Sequence, residues 1–125
     1  MKYLCMVIID EKKLEALSQA DSQSLDDESL AHDQILREKG HLLVAQALEP
    51  VRTAVTVRVQ KGKTLVTDGP FAETREQIGG FLLIEAKDMK EATQVASKIP
   101  VLRLAAIEVR PIKELTSSKD RAKRQ

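Results

Sequence analysis

Residues 80–100 read GFLLIEAKDMKEATQVASKIP and predict a buried strand followed directly by a capped helix. The run from Phe81 to Ile84 is apolar at every position, as expected for a strand that is covered on both faces. Asp88 stands where a helix N-cap is expected, and Glu91 three residues later completes a capping box. Pro100 then ends the helix. This stretch therefore predicts a helix that packs back onto a sheet.

Outside this stretch, the same kinds of pattern predict two more helices and five more strands. The helices are expected over residues 11–20 and 26–39, with the polar run 21–24 between them and Ser24 or Asp26 as the cap of the second. Alternation and β-branched content predict the strands. These strands cover residues 3–9, 41–48, 55–59, 64–67 and 107–112, and the third and fourth form a hairpin.

Without the hairpin, the element order is strand, helix, strand, strand, helix, strand. This order predicts an α+β domain of the ferredoxin-like, split βαβ kind with an inserted β-hairpin and two helices on one sheet face. A strand such as residues 81–84 is apolar on both faces, so the other sheet face also needs a cover. A second copy of the chain is the economical cover, which predicts a homodimer. One domain is expected over residues 1–115, followed by a disordered basic tail over residues 116–125.

Composition narrows the class of protein and its partners. The 125 residues hold 20 Lys and Arg against 19 Asp and Glu, and a net charge of +1 does not favour nucleic acid as a partner. The first apolar run is far too short to span a bilayer, so no membrane association is expected. Cys5 is the single cysteine, which rules out an intrachain disulfide and favours a cytoplasmic location. The expected partners are a second copy of the chain and an unknown small molecule.

Residues 68–81 read DGPFAETREQIGGF and resemble the DGPF-type branch of the YCII-related family. The preceding hairpin and the closing strand, residues 107–112, are also similar to that family. The resemblance implies a dimeric α+β barrel whose site contains a histidine, matched by His32, and an aspartate, matched by Asp68. Some YCII-type relatives are linked to the breakdown of chlorinated aromatics, and DGPF-type members occur with alternative sigma factors. Residues 102–106 depart from the glycine pair and serine of many relatives, which implies a bulkier pocket rim or a different ligand.

The leading hypothesis makes His32 a general acid/base and Asp68 the group that orients it. An ionised Asp68 beside the ring would raise the pKa of His32 above its ordinary value, whereas burial would lower it. The alternative is that His32 only packs, and that Asp68, Gly69 and Pro70 only form a turn.

Two further residues are candidates for ligand binding, Phe71 as an apolar wall and Arg110 as a carboxylate partner, although Arg110 also fits a plain solvated face. Gly69 and Pro70 belong to the same binding segment. The spacing of Cys5, His32 and His41 does not fit a metal site, and no cofactor motif occurs.

The predicted function is a small-molecule enzyme or binding domain that uses the histidine and aspartate for proton transfer. Elimination, isomerisation or lyase-type chemistry on a small organic acid or aromatic suits a site that has a base and no nucleophile. The alternative is a non-catalytic dimeric sensor or interaction module, including one linked to transcription regulation.

Overall fold

A computed structural model describes residues 1–119 of the chain. Most of the predicted basic tail, residues 120–125, lies outside the described residues. The helices and strands of the described part are β1 (Lys2–Ile9), α1 (Glu11–Glu15), α2 (Gln19–Glu38), β2 (Leu42–Ala47), β3 (Val55–Gln60), β4 (Lys63–Asp68), β5 (Gln77–Glu85), α3 (Met89–Ala96) and β6 (Ala105–Pro111). Short 3-10 helices at Val51–Thr53 and Pro100–Leu104 precede β3 and β6.

Four strands form one antiparallel sheet in the order β2-β5-β1-β6, and β3 and β4 form a separate hairpin. This is the ferredoxin-like order with a hairpin inserted between its second and third strands. The predicted fold class is therefore confirmed. No helix in the described part of the chain is long and apolar enough to cross a bilayer.

One face of the sheet carries the core beneath α2 and α3. Side chains alternate along β1, and the register sets Cys5 opposite both Leu82 of β5 and Val109 of β6, so these three share the helix-covered face. Leu25 and Leu36 of α2 are buried against this core side of the molecule. The members of the core cluster are Tyr3, Cys5, Val7, Ile9, Leu36, Leu42, Leu82, Ile84, Ala86, Ala92, Val95, Ala96 and Ile99.

The centre of the other sheet face is apolar, and no helix of residues 1–119 lies over it. Leu4 and Met6 of β1 are only half-buried, as are their partners on β5, Leu83 and Phe81. Ile78, farther along β5, is 47% exposed. A single chain therefore leaves part of this apolar surface in contact with water.

Helix α2 begins earlier than the sequence predicts. Ser18 is its N-cap, since its Oγ accepts a hydrogen bond from the backbone N–H of Asp21 at 3.0 Å. The polar run 21–24, which was expected to separate two helices, lies in the exposed first turns of α2. The prediction of a start near Asp26 is wrong because Ser and Asp disfavour helix interiors only weakly, and an exposed face tolerates them.

The start of α3 is confirmed as the sequence predicts. Asp88 accepts a hydrogen bond from the backbone N–H of Glu91 at 2.9 Å, and the Glu91 carboxylate accepts one from the backbone N–H of Lys87 at 3.1 Å. The Asp88 side chain satisfies a donor that the first helical turn leaves free, and the Glu91 side chain fixes the backbone just before the cap. The helix ends at Ala96, and Pro100 starts the 3-10 helix that leads into β6.

Candidate functional site

A cavity of about 360 Å³ lies between α2 and the helix-covered face of the sheet. Its sheet side is apolar and includes Val7, Ile9 and Leu82. Gly79 of β5 packs directly against Ile9, because a Cβ at this position would overlap the Ile9 side chain. The lack of a side chain at Gly79 therefore allows Ile9 to lie flat on this part of the cavity wall.

The α2 side of the cavity carries a stripe of polar side chains. Ser22, Asp26, Ser29 and Asp33 all line it, and their spacings of four, three and four residues place them on one face of the helix. An apolar sheet surface thus faces four oxygen-bearing side chains across the cavity. Pockets that bind small molecules commonly combine apolar walls with a few polar groups in this way.

Asp33 is the carboxyl group of this stripe with a perturbed pKa. Burial raises the pKa of Asp33 above its ordinary value, although the nearby charges of His32 and Arg37 act in the opposite direction. A carboxylate with a raised pKa is a stronger base than an exposed one, and such groups concentrate at functional sites. Asp33 is therefore a candidate proton acceptor in the cavity.

His32, next to Asp33 on α2, is half-buried, and its Nδ1 atom is buried without a hydrogen-bond partner. Burial lowers the pKa of His32; the charge of Asp33 raises it in part, and the charge of Lys39 lowers it further. No hydrogen bond joins His32 to Asp68 within residues 1–119, so one chain does not form the predicted pair. The direction of the shift is opposite to the one expected for that pair, because burial has the largest effect on this ring.

Asp68 is the last residue of β4, exposed, and opposite Val55 in the hairpin register. The turn that follows it depends on Gly69, whose φ of +104° is unfavourable for other residues and whose N–H donates to the carbonyl of Ala54 at 2.7 Å. Thr56 also donates to the carbonyl of Gly69, at 2.9 Å. In the single chain this segment, including Pro70, therefore has the structure of a turn held against the hairpin.

The two predicted ligand-binding side chains lie away from the cavity. Phe71 is 78% exposed, and the Arg58 guanidinium lies 5.0 Å from the centre of its ring. Arg110 of β6 donates two hydrogen bonds to the carboxylate of Glu108, at 2.6 and 3.0 Å, on the sheet face opposite the helices. Neither residue lines the cavity under α2.

Sequence reasoning missed Asp33, Asp26 and Ser22 as site residues. The late predicted start of α2 treated Asp26 as a cap or first-turn residue and placed Ser22 outside the helix. Because α2 begins at Gln19, Ser22, Asp26 and Asp33 lie on the same face of one helix. The sequence signal that could have revealed this polar face was the repeat of polar residues at helical spacing beside Leu25 and Leu36.

Two other chemical possibilities have little support in the described residues. Burial raises the pKa of the Cys5 thiol to about 11, so the reactive thiolate is strongly disfavoured. Within residues 1–119, no group of three or more His, Cys, Asp and Glu side chains is arranged to hold a metal ion. His41 sits at the entry to β2, where its Nδ1 lies 2.9 Å from the carbonyl oxygen of Glu85.

The sheet order and the inserted hairpin define the molecule as a ferredoxin-like α+β domain. The chain belongs to the YCII-related domain family, whose model matches residues 1–116. It is 33% identical over 114 residues to an uncharacterized protein of Rhizobium meliloti (strain 1021), covering 90% of this chain and 92% of that one. The predicted membership of the YCII-related family is thereby confirmed, whereas the assignment to its DGPF-type branch stays a prediction.

Among solved structures, the chain is similar to 5-chloro-2-hydroxyhydroquinone dehydrochlorinase from Burkholderia phenoliruptrix AC1100, in its complex with 2,5-dihydroxybenzoquinone. The TM-score is 0.53 with 18% sequence identity, and the match covers 92% of this chain and 96% of that chain. At this identity the likeness is one of fold. It agrees with the YCII-like α+β barrel fold expected from the sequence.

Proposed function

We propose that this protein is a small-molecule enzyme that transfers protons in the cavity under α2. The observation that carries the proposal is one apolar-walled cavity lined by Asp33, a carboxyl group whose pKa is raised by burial. A base in an apolar-walled pocket suits elimination, isomerisation or lyase-type reactions on a small organic acid or aromatic. The name of the dehydrochlorinase with a similar fold describes an elimination from a small aromatic, which belongs to the same class of reaction.

In this proposal Asp33 accepts the proton that the ligand loses. His32 lies beside Asp33 on α2 but does not line the cavity, and it acts on Asp33 through its charge. The two ionisations are coupled, because the charge of each shifts the pKa of the other. Burial lowers the pKa of His32 and so favours its neutral ring. Asp68 joins this site only if a second chain brings it there.

A homodimer is part of the same proposal. Leu4, Met6, Phe81 and Leu83 form a half-buried apolar patch on the sheet face that no helix of the described residues covers. Exposed apolar patches of this kind are typical of interfaces, and a copy of the same sheet matches both its shape and its chemistry.

The experiment measures chloride release from 5-chloro-2-hydroxyhydroquinone and binding of 2,5-dihydroxybenzoquinone by NMR. Asp33→Asn should reduce turnover by about 10²-fold or more, the usual effect of removing a general base. Asp27→Asn is the matched control, since Asp27 is exposed on the same helix and, within residues 1–119, accepts a hydrogen bond only from Gln23. Ala45→Phe, which places a ring in the cavity, should abolish binding.

Equal activity of Asp33→Asn and Asp27→Asn would contradict the assignment of the base. Binding of the quinone that leaves the amide signals of Ala45 and Gly80 unchanged would contradict the assignment of the cavity.

The non-catalytic interaction module is the second candidate, and one observation favours it. Val55, Val57, Val59 and Val66 share one face of the β3–β4 hairpin and are 60, 62, 73 and 65% exposed. Such a surface suits protein contact. A chain that forms a stable complex through this hairpin, but binds no small molecule in the cavity, would favour this function over the enzyme.

A further inference from the structure

A second cavity, of about 430 Å³, lies where β1 ends and β6 begins. The residues that line it are Ile8, Asp10, Lys13, Arg75, Glu76, Arg103, Leu104, Ala105 and Ala106. None of these residues lines the cavity under α2. The second cavity is therefore a separate place in the fold, and its lining is richer in charged side chains.

Asp10 is the buried charged residue of this cavity, with only 8% of its surface exposed. One carboxylate oxygen accepts from the backbone N–H of Lys12 at 3.0 Å, and the other accepts from Nε of Arg75 at 3.1 Å. Although burial by itself raises the pKa of Asp10, these hydrogen bonds and the charge of Arg75 lower it below its ordinary value. Asp10 is thus a fixed carboxylate whose two oxygens are both already engaged.

Arg75 is held by this carboxylate but remains accessible, since its side chain is 84% exposed. The contact with Asp10 uses Nε, and the two terminal amino groups of the guanidinium have no hydrogen-bond partner within residues 1–119. Those amino groups can donate in parallel to a carboxylate or another oxyanion. A buried anchor that fixes an accessible guanidinium reduces the entropy lost when a ligand binds.

Lys13 and Arg103 add positive charge to the same cavity. The ammonium group of Lys13 has no ion-pair partner within the described residues. Arg103 donates to Glu28 at 2.9 Å in an exposed ion pair, which water screens strongly. Three cationic side chains thus line a cavity that also holds Asp10, already paired, and Glu76.

The remaining wall of the cavity is apolar and consists of Ile8 with Leu104, Ala105 and Ala106. Ala106 of β6 lies opposite Ile8 of β1 in the strand register, so the two side chains lie next to each other on the same sheet face. A ligand with a charged end and a small apolar body would place the body against this wall. Inorganic ions would leave the wall in contact with water.

We propose that the Asp10 cavity, defined by the residues above, binds a small organic anion. Its carboxylate is held by the terminal amino groups of Arg75 together with Lys13, and its apolar body packs against Leu104 and Ala106. The site does not depend on the function proposed for the cavity under α2.

The test uses benzoate as the probe and follows its binding to the full chain by two-dimensional NMR. Benzoate should shift the amide signals of Ala105 and Ala106, and benzamide, its neutral counterpart, should not shift them. Arg75→Gln should weaken benzoate binding by about tenfold or more, as expected for the loss of a charge-assisted pair. Arg52→Gln is the matched control, because Arg52 is exposed and lies outside the cavity.

Three results would overturn the proposal. The first is an absence of benzoate-induced shifts at Ala105 and Ala106, and the second is equal weakening by Arg75→Gln and Arg52→Gln. The third is binding of inorganic phosphate as tight as that of benzoate, which would remove the role of the apolar wall. Lys13→Gln provides a second variant on an exposed side chain, and it should also weaken benzoate but leave the melting temperature unchanged.

Discussion

Gly80→Ala should destabilise the protein by forcing β2 away from β5. A Cβ at Gly80 would lie 2.8 Å from the carbonyl oxygen of Gln46 and 3.3 Å from Cα of Ala47, and both are backbone atoms of β2. Reaching an ordinary contact requires a movement of roughly half an ångström. The nearby hydrogen bond from the backbone N–H of Leu48 to the carbonyl of Gly79, now 2.9 Å, would then lengthen to the limit of a useful bond.

The expected cost follows from these contacts. Overpacking costs about 1–3 kcal/mol, and a weakened hydrogen bond adds about 0.5–1.5 kcal/mol. Replacing glycine with alanine in a strand returns about 0.5–1 kcal/mol. The net loss is therefore about 0.5–4 kcal/mol, which lowers the melting temperature by roughly 2–16 °C for a chain of this size.

Urea unfolding and thermal melting measure this loss directly. Gly40→Asn is the control, since Gly40 has a φ of +78° that Asn tolerates and a Cβ at this position would meet no atom within 4 Å. It should change stability by less than Gly80→Ala. A Gly80→Ala variant as stable as the natural chain would refute the close packing of β2 on β5.

Three further predictions concern the helix cap, the buried carboxylate and assembly. Asp88→Ala should lower the free energy of unfolding by about 1 kcal/mol in urea titrations, because Asp88 caps α3; an unchanged midpoint would contradict the cap. Asp10 has a lowered pKa in the folded chain, so its contribution to stability is present above its ordinary value of 3.8 and is lost as the pH falls through its folded value. Asp10→Asn should therefore flatten the acid side of the stability profile, and an unaltered profile would mean that the pair with Arg75 does not form. Light scattering of a dilute solution should give about twice the 13.9 kDa chain mass, whereas a persistent monomer would contradict the homodimer.

The fold was predictable from the sequence because its signals are local and agree with each other. The apolar run at Phe81–Ile84, the Asp88 cap and the hairpin each report structure within a few residues. The start of α2 was harder to predict because Ser18, Ser24 and Asp26 are all acceptable caps. Ser18 is the cap in the structure, and the choice among the three residues depends on tertiary packing, in which Leu25 of α2 is buried.

The candidate site was predictable only in part, since it depends on contacts between distant segments. His32 was recognised as an acid/base candidate, but its neighbour Asp33 was not. The pairing of Asp10 with Arg75 joins residues 65 positions apart, and no local pattern reports it. The placement of Asp68 on an exposed hairpin face also follows from tertiary structure, because the same turn sequence fits a site or a plain connection equally well.

The central claim, that burial and the coupling of His32 with Asp33 set the protonation of both groups on α2, is tested most directly by NMR titration of the His32 ring. We expect a pKa below the ordinary value of 6.5 in the natural chain. We expect a lower value still in Asp33→Asn, because that change removes the charge that raises the pKa of the ring. A pKa above 6.5 that falls in Asp68→Asn and is unaffected by Asp33→Asn would contradict this claim and would show that Asp68 is the partner of His32.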